Sequence, residues 1–148
     1  MSESTIPEDI LNRVKILQEE IDQLQLNIST IEQQIAILLN ATHSINDAIR
    51  THNELKTKKP GDEILVPVGG SNYILCTLKD PQQTFISLGS GVTLLTGLKD
   101  SEERNKNQIE NLERNIKQLQ EQNLQFSQML NSRKQELVKI AQKHQLLR

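Results

Sequence analysis

The chain of 148 residues has almost no aromatic side chains: Tyr73, Phe85 and Phe126 are the only three, and there is no Trp. An ordinary globular core, in which aromatics carry much of the buried area, is therefore not expected. A single cysteine, Cys76, excludes an internal disulfide framework and suits a reducing compartment. Neither sign of charge dominates: 17 Lys and Arg against 19 Asp and Glu leave a formal net charge of −2. That balance offers no electrostatic footprint for nucleic acid or an anionic membrane. The longest clean apolar run, residues 35–39, falls far short of the roughly 20 residues of a membrane span. No basic start followed by an apolar stretch opens the chain, so no secretory signal is expected and the expected location is cytoplasmic. Glycine and proline are missing from both flanks. All six Gly and three of the four Pro lie between Pro60 and Gly97, with Pro7 the exception. Breaker-free flanks around a breaker-rich middle divide the chain into helix (1–59), non-helical insert (60–98) and helix (99–148), within one domain.

What the flanks do contain is a seam. Apolar residues recur at Ile10, Val14, Leu17, Ile21, Leu24, Ile28, Ile31, Ile35 and Leu38, then at Thr42, Ile45 and Ile49, in alternating steps of four and three. This is the 3.5-residue repeat of a coiled coil. With Val14 at heptad position a, Ile21, Ile28, Ile35, Thr42 and Ile49 share its row, and Ile10, Leu17, Leu24, Ile31, Leu38 and Ile45 form row d. Thr5 with Glu8, and Pro7 in the first turn, suggest a capping box. Lys56, Lys58 and Lys59 before Pro60-Gly61 supply a basic last turn and a stop. The second flank repeats the pattern through Ile109, Leu112, Ile116, Leu119, Asn123, Phe126, Leu130, Arg133, Leu137, Ile140, His144 and Leu147, with Asp100 and Glu103 near its start. Each helix is expected to run about 48 residues, or roughly 70 Å. The two seams match as mirror images, pairing Ile49 with Ile109 at one end and Ile10 with Leu147 at the other, which predicts an antiparallel hairpin of helices. In that register Asn123 falls opposite Ile35. Charge agrees: residues 1–22 carry six acidic and two basic side chains, residues 133–148 five basic and one acidic, and each sign suits its helix end.

Between the flanks the period changes. Residues 64–68 form a short β-like run, and Gly69-Gly70-Ser71-Asn72 turns it into the run 73–78. Residues 79–83 connect to the run 84–88, and Gly89-Ser90-Gly91 turns into 92–95. The reading is two consecutive β-hairpins, an α+β chain overall. Four short strands cannot cover their own faces and edges, so hairpins from several chains are expected to complete an intersubunit β-barrel. Ile64, Val66, Val68, Tyr73, Leu75, Phe85, Ile86, Leu88, Val92 and Leu94 are the expected oligomerisation residues.

No constellation for chemistry is found. Gly89-Ser90-Gly91 lacks the third Gly of a dinucleotide fingerprint and leads into a strand, no Walker pattern exists, and Ser90 is not in a nucleophile elbow. His43 and His52 read as helix-surface residues and His144 as a seam residue, without metal-ligand spacing. Cys76 reads as a buried strand residue. Neither an enzyme nor a cofactor or metal site is expected.

A long helix, two hairpins opened by Glu63-Ile64-Leu65-Val66-Pro67-Val68-Gly69, and a long returning helix resemble the archaeal-like α-type subunits of prefoldin. Leu78-Lys79-Asp80-Pro81 and Ile86-Ser87-Leu88-Gly89-Ser90-Gly91-Val92 are similar to that family's strand exit and third-strand element, and two hairpins mark the α-type against the β-type. The resemblance implies a hetero-hexamer of two α-type and four β-type subunits on a β-barrel platform. It also implies coiled coils whose open ends hold non-native proteins and pass them, without ATP, to a group II chaperonin. Ile6, Ile10, Leu11, Val14, Ile140, Leu146 and Leu147 gather where the two termini are expected to meet and are the expected client-binding residues. Leu11 and Leu146 lie off the seam and are the strongest of these. A structural coiled-coil scaffold that binds folded partners is the alternative.

Overall fold

The computed structural model describes residues 6–144; Thr5, Leu146 and Leu147 lie outside the described residues. Its elements run α1 (Glu8–Leu55), β1 (Glu63–Gly69), β2 (Asn72–Thr77), β3 (Gln83–Gly89), β4 (Val92–Gly97) and α2 (Leu98–Lys143). Two long helices with a pair of hairpins between them make the expected α+β architecture. The chain divides into two compact units, one formed by the segments up to Leu39 and from Arg114, the other by Asn40–Glu113.

Helix α1 starts just after Pro7, whose nitrogen has no hydrogen to donate but whose carbonyl can accept. The Pro7 carbonyl accepts from the amides of Ile10 (3.0 Å) and Leu11 (3.2 Å), so Pro7 sits just before the helix and not in its first turn. The helix ends at Leu55 and unwinds through tighter turns, Thr57 donating to Glu54 and Lys58 to Leu55 (both 3.1 Å). Gly61, at φ +91°, then carries a turn closed by the Lys59 amide on Asp62 Oδ2 at 2.8 Å. The three lysines therefore follow the helix instead of forming its last turn.

In the first unit α1 and α2 run antiparallel. Arg13 meets Glu136, and Glu20 meets Arg133 at 2.7 Å. The buried residues Leu17, Ile21, Leu24, Ile31 and Ile116 are all seam positions. The register differs from the expected one by about one helical turn. Residue 20 lies beside Arg133, not Leu137, and residue 13 beside Glu136, not His144. The physical reason is that an antiparallel seam interleaves row a of one helix with row d of the other, whereas the expected pairing matched like with like. The same displacement moves Asn123 away from Ile35, to the level of Ile31. Its Oδ1 is buried without a hydrogen-bond partner.

In the second unit the hairpins are two separate two-stranded antiparallel sheets, β1 with β2 and β3 with β4. Each closes on a tight turn whose two central residues have positive φ: Gly70 (+56°) with Ser71 (+60°), and Ser90 (+51°) with Gly91 (+77°). That is the type I′ geometry whose twist matches the flanking strands, with one glycine in each turn lowering its steric cost. Helix α2 follows β4 with no loop. The Leu98 amide still donates to the Gln82 carbonyl at 2.7 Å, and its side chain is among the most buried in the protein. The seam extends further here than its apolar residues suggested. His52, seven residues after Ile45, is buried, as is Ser101. The expectation of a surface histidine is thereby corrected: His52 holds the next row-d position, where packing and not polarity decides burial.

Candidate functional site

Two regions expose apolar surface in a patterned way. The first is the end of the first unit where α1 begins and α2 finishes. Here the coil is pinned by ions: Arg13 donates to Glu136 Oε1 through Nε (3.0 Å) and Nη2 (2.6 Å). Arg133, itself on the seam, bridges Glu136 (3.5 Å) and Glu20 (2.7 Å). The hydrogen bond to Glu136 holds the Arg13 guanidinium above its usual pKa, partly opposed by desolvation and helped by the charges of Glu136 and Glu20. Leu17, between these ion pairs along α1, is fully buried at 0% exposure, whereas Leu11 is 50% exposed. Ile6, Ile10, Val14 and Ile140 are half-buried. The sequence-predicted residues within the described range thus lie on turns that the Arg13–Glu136 pair brings together, half-covered on the seam and open at Leu11. Farther along the coil, Gln34, Ile37 and Leu38 line a groove of about 440 Å³ with Asn115, Gln118 and Leu119, a mix of apolar and amide side chains.

The second region is the outer face of each hairpin. Cross-strand register places Leu65 opposite Leu75 and Pro67 opposite Tyr73 on one face, with Ile64 opposite Cys76 and Val66 opposite Ile74 on the other. The first set is open, Leu65 at 66% and Tyr73 at 62% exposure. Ile64, Val66 and Cys76 are half-covered, and the end of α1 approaches β1 there through Thr51, Leu55 and Lys58. The second hairpin repeats this arrangement. Phe85 opposite Leu95 lies on the open face, at 71% exposure for Phe85, while Ile86 is half-covered. Of the expected oligomerisation residues, Tyr73, Leu75 and Phe85 share the open face. Val68, Leu88, Val92 and Leu94 are also exposed, and Ile64, Val66 and Ile86 turn to the half-covered side. Leu65, Ile74 and Leu95 are exposed as well and were missed, because runs of consecutive apolar residues do not tell one strand face from the other.

Near the hairpins, Glu102 takes Lys56 at 2.6 Å and Lys106 at 3.1 Å. Hydrogen bonds from Lys56, then from Lys106, hold its carboxyl below the usual carboxylate range. A carboxylate with a lowered folded-state pKa contributes stability above its unfolded pKa and loses it as pH falls through the folded value. Thermal melts from neutral pH to about pH 3 are therefore expected to show a flatter acid limb for Glu102→Gln than for the wild type. Superimposable limbs would mean that the Lys56 and Lys106 contacts carry no linkage. Among the described residues no cluster of three or more His, Cys, Asp or Glu side chains forms a metal site, and no helix is long and apolar enough to cross a membrane.

A family model for prefoldin subunits matches residues 24–143. The prefoldin subunit alpha of Methanosarcina mazei is 26% identical over 142 residues, covering 94% of this chain and 90% of that protein. Prefoldin subunit 5 of Arabidopsis thaliana is 24% identical over 109 residues, covering 74% of this chain and 70% of that protein. Among solved structures, a chain of filamentous PFD from Methanocaldococcus jannaschii, determined by cryo-EM, aligns with a TM-score of 0.68. The alignment covers 77% of this chain and 94% of that one at 17% identity, a likeness of fold.

Proposed function

The chain belongs to the prefoldin family of chaperone subunits, and from that premise we propose that it holds non-native proteins at the terminal end of its coiled coil. In this reading the particle is built with companion prefoldin subunits, two α-type and four β-type, joined through the hairpins into a shared barrel. It acts without nucleotide and passes clients to a group II chaperonin. The observation that supports the holding role is the apolar surface left at this end: Val14, Ile10 and Ile140 are half-covered and Leu11 is open. Full burial of a side chain of this size is favourable by about 1.5–3 kcal/mol. A few partly covered ones give a weak and releasable grip on any unfolded chain, with no demand on its shape. The open hairpin faces support the assembly role, because apolar residues opposite one another on a two-stranded sheet have no cover within the sheet itself.

The test uses the particle assembled with its companion subunit and a denatured, unrelated protein, without nucleotide. Near-stoichiometric suppression of client aggregation is expected; its absence would favour a scaffold for folded partners. Leu11→Ser is expected to weaken suppression several-fold while leaving the mass of the particle unchanged, since Leu11 lies off the seam. Undiminished suppression would remove Leu11 from the client surface.

A further inference from the structure

The two hairpins are copies of one another twenty residues apart. Glu63 and Gln83, Gly69 and Gly89, and Thr77 and Gly97 hold equivalent places in the two registers, each with an irregularity just before its turn. The entry bonds correspond too: Leu78 donates to Asp62 at 2.8 Å and Leu98 to Gln82 at 2.7 Å. These bonds set the phase of each ladder. Bonded and non-bonded pairs alternate along an antiparallel sheet, so 64 with 76 and 66 with 74 are bonded pairs. At 63, 65 and 67 the backbone nitrogen then points away from β2, to the open edge of β1. The counterparts on β3 are Gln83, Phe85 and Ser87.

Position 67 is where the copies differ in backbone chemistry. Ser87 offers an N–H to the open edge; Pro67 has none, and its ring occupies the place of that hydrogen. Proline on an edge strand interrupts any ladder laid against it. Helix α1 stands beside the same strand, with Thr51, Leu55 and Lys58 sharing a cleft with Leu65 and Pro67. The groups left open along the other edges are uncharged donors and acceptors at strand spacing, which another strand satisfies in succession.

We propose that Pro67 closes β1 to strand addition, so that a companion subunit's β-strand extends the first hairpin through β2 while the second hairpin accepts one on β3. Two near-identical hairpins thereby become distinguishable, and the direction in which neighbours are added around the chain is set. This rests on the reading that the hairpins join sheets with companion prefoldin subunits.

Backbone amide exchange in the assembled particle tests it. The outward amides of Leu75, Phe85 and Ser87 are expected to exchange at least about tenfold more slowly than those of Glu63 and Leu65. Equal protection of Leu65 and Phe85 would overturn the proposal while leaving hairpin assembly standing. Uniformly fast exchange at all five amides in a full-mass particle would overturn both. Pro67→Ser, which installs the residue found at 87, is expected to slow exchange at Glu63 and Leu65 about tenfold and to produce particles heavier than the wild type. Unchanged exchange at Leu65 together with unchanged mass would show that Pro67 closes nothing.

Discussion

Replacing Phe85 with aspartate is expected to release the chain from its assembled particle while both of its helices remain folded. The side chain is 71% exposed in the isolated chain, so little within the chain is lost. In an intersubunit sheet the same position is enclosed. There the substitution forfeits about 1.5–3 kcal/mol of apolar burial and leaves a desolvated, unpaired carboxylate that costs several kcal/mol more. At about 1.4 kcal/mol per tenfold, the two effects weaken association by at least three powers of ten. Native mass spectrometry of the chain mixed with its companion subunit reads the outcome directly, with helical circular dichroism as the check on folding. A full-mass particle carrying Phe85→Asp would show that the second hairpin's open face is not an interface.

Leu17→Ala is expected to have the largest effect inside the chain. Leu17 is completely buried, and removing a large side chain from a site with no room to collapse costs about 2–5 kcal/mol. The loss falls on the end of the coil held otherwise by Arg13, Glu20, Arg133 and Glu136. Those ion pairs are between about a third and two-fifths exposed at the side chain and are each worth little in water, so they do not compensate. Hydrogen exchange is expected to accelerate in residues 8–21 and 133–143 and to stay unchanged in the hairpins, which belong to the other unit. Uniform acceleration across both units would show that the chain opens as a single cooperative body. Unchanged exchange at Val14 and Leu137 would show that the seam end is already open in the wild type.

Much of this was written in local patterns. A 3.5-residue apolar period needs only the helix to be interpreted, and Gly69-Gly70-Ser71-Asn72 and Gly89-Ser90-Gly91 mark turns through backbone requirements that any neighbourhood would impose. The exposure of Leu11 was legible in the same way, because it is off the seam by its number alone. The burial of His52 was not, since a polar residue at a seam position gives no apolar signal, and Ser101, off the seam, gives none either.

The sequence by itself determined two amphipathic helices, two hairpins and the antiparallel sense in which the helices return, all of them consequences of spacing along one strand of chain. Tertiary structure alone decided how the rows interleave, which face of each hairpin stays open and which way the nitrogen of Pro67 points. Sliding one helix by a turn leaves both seams equally apolar, and a strand such as β2, apolar on both sides, is equally buriable on either. Only the packing of rows a against d, and the Leu78 and Leu98 bonds that set each ladder's phase, remove those degeneracies.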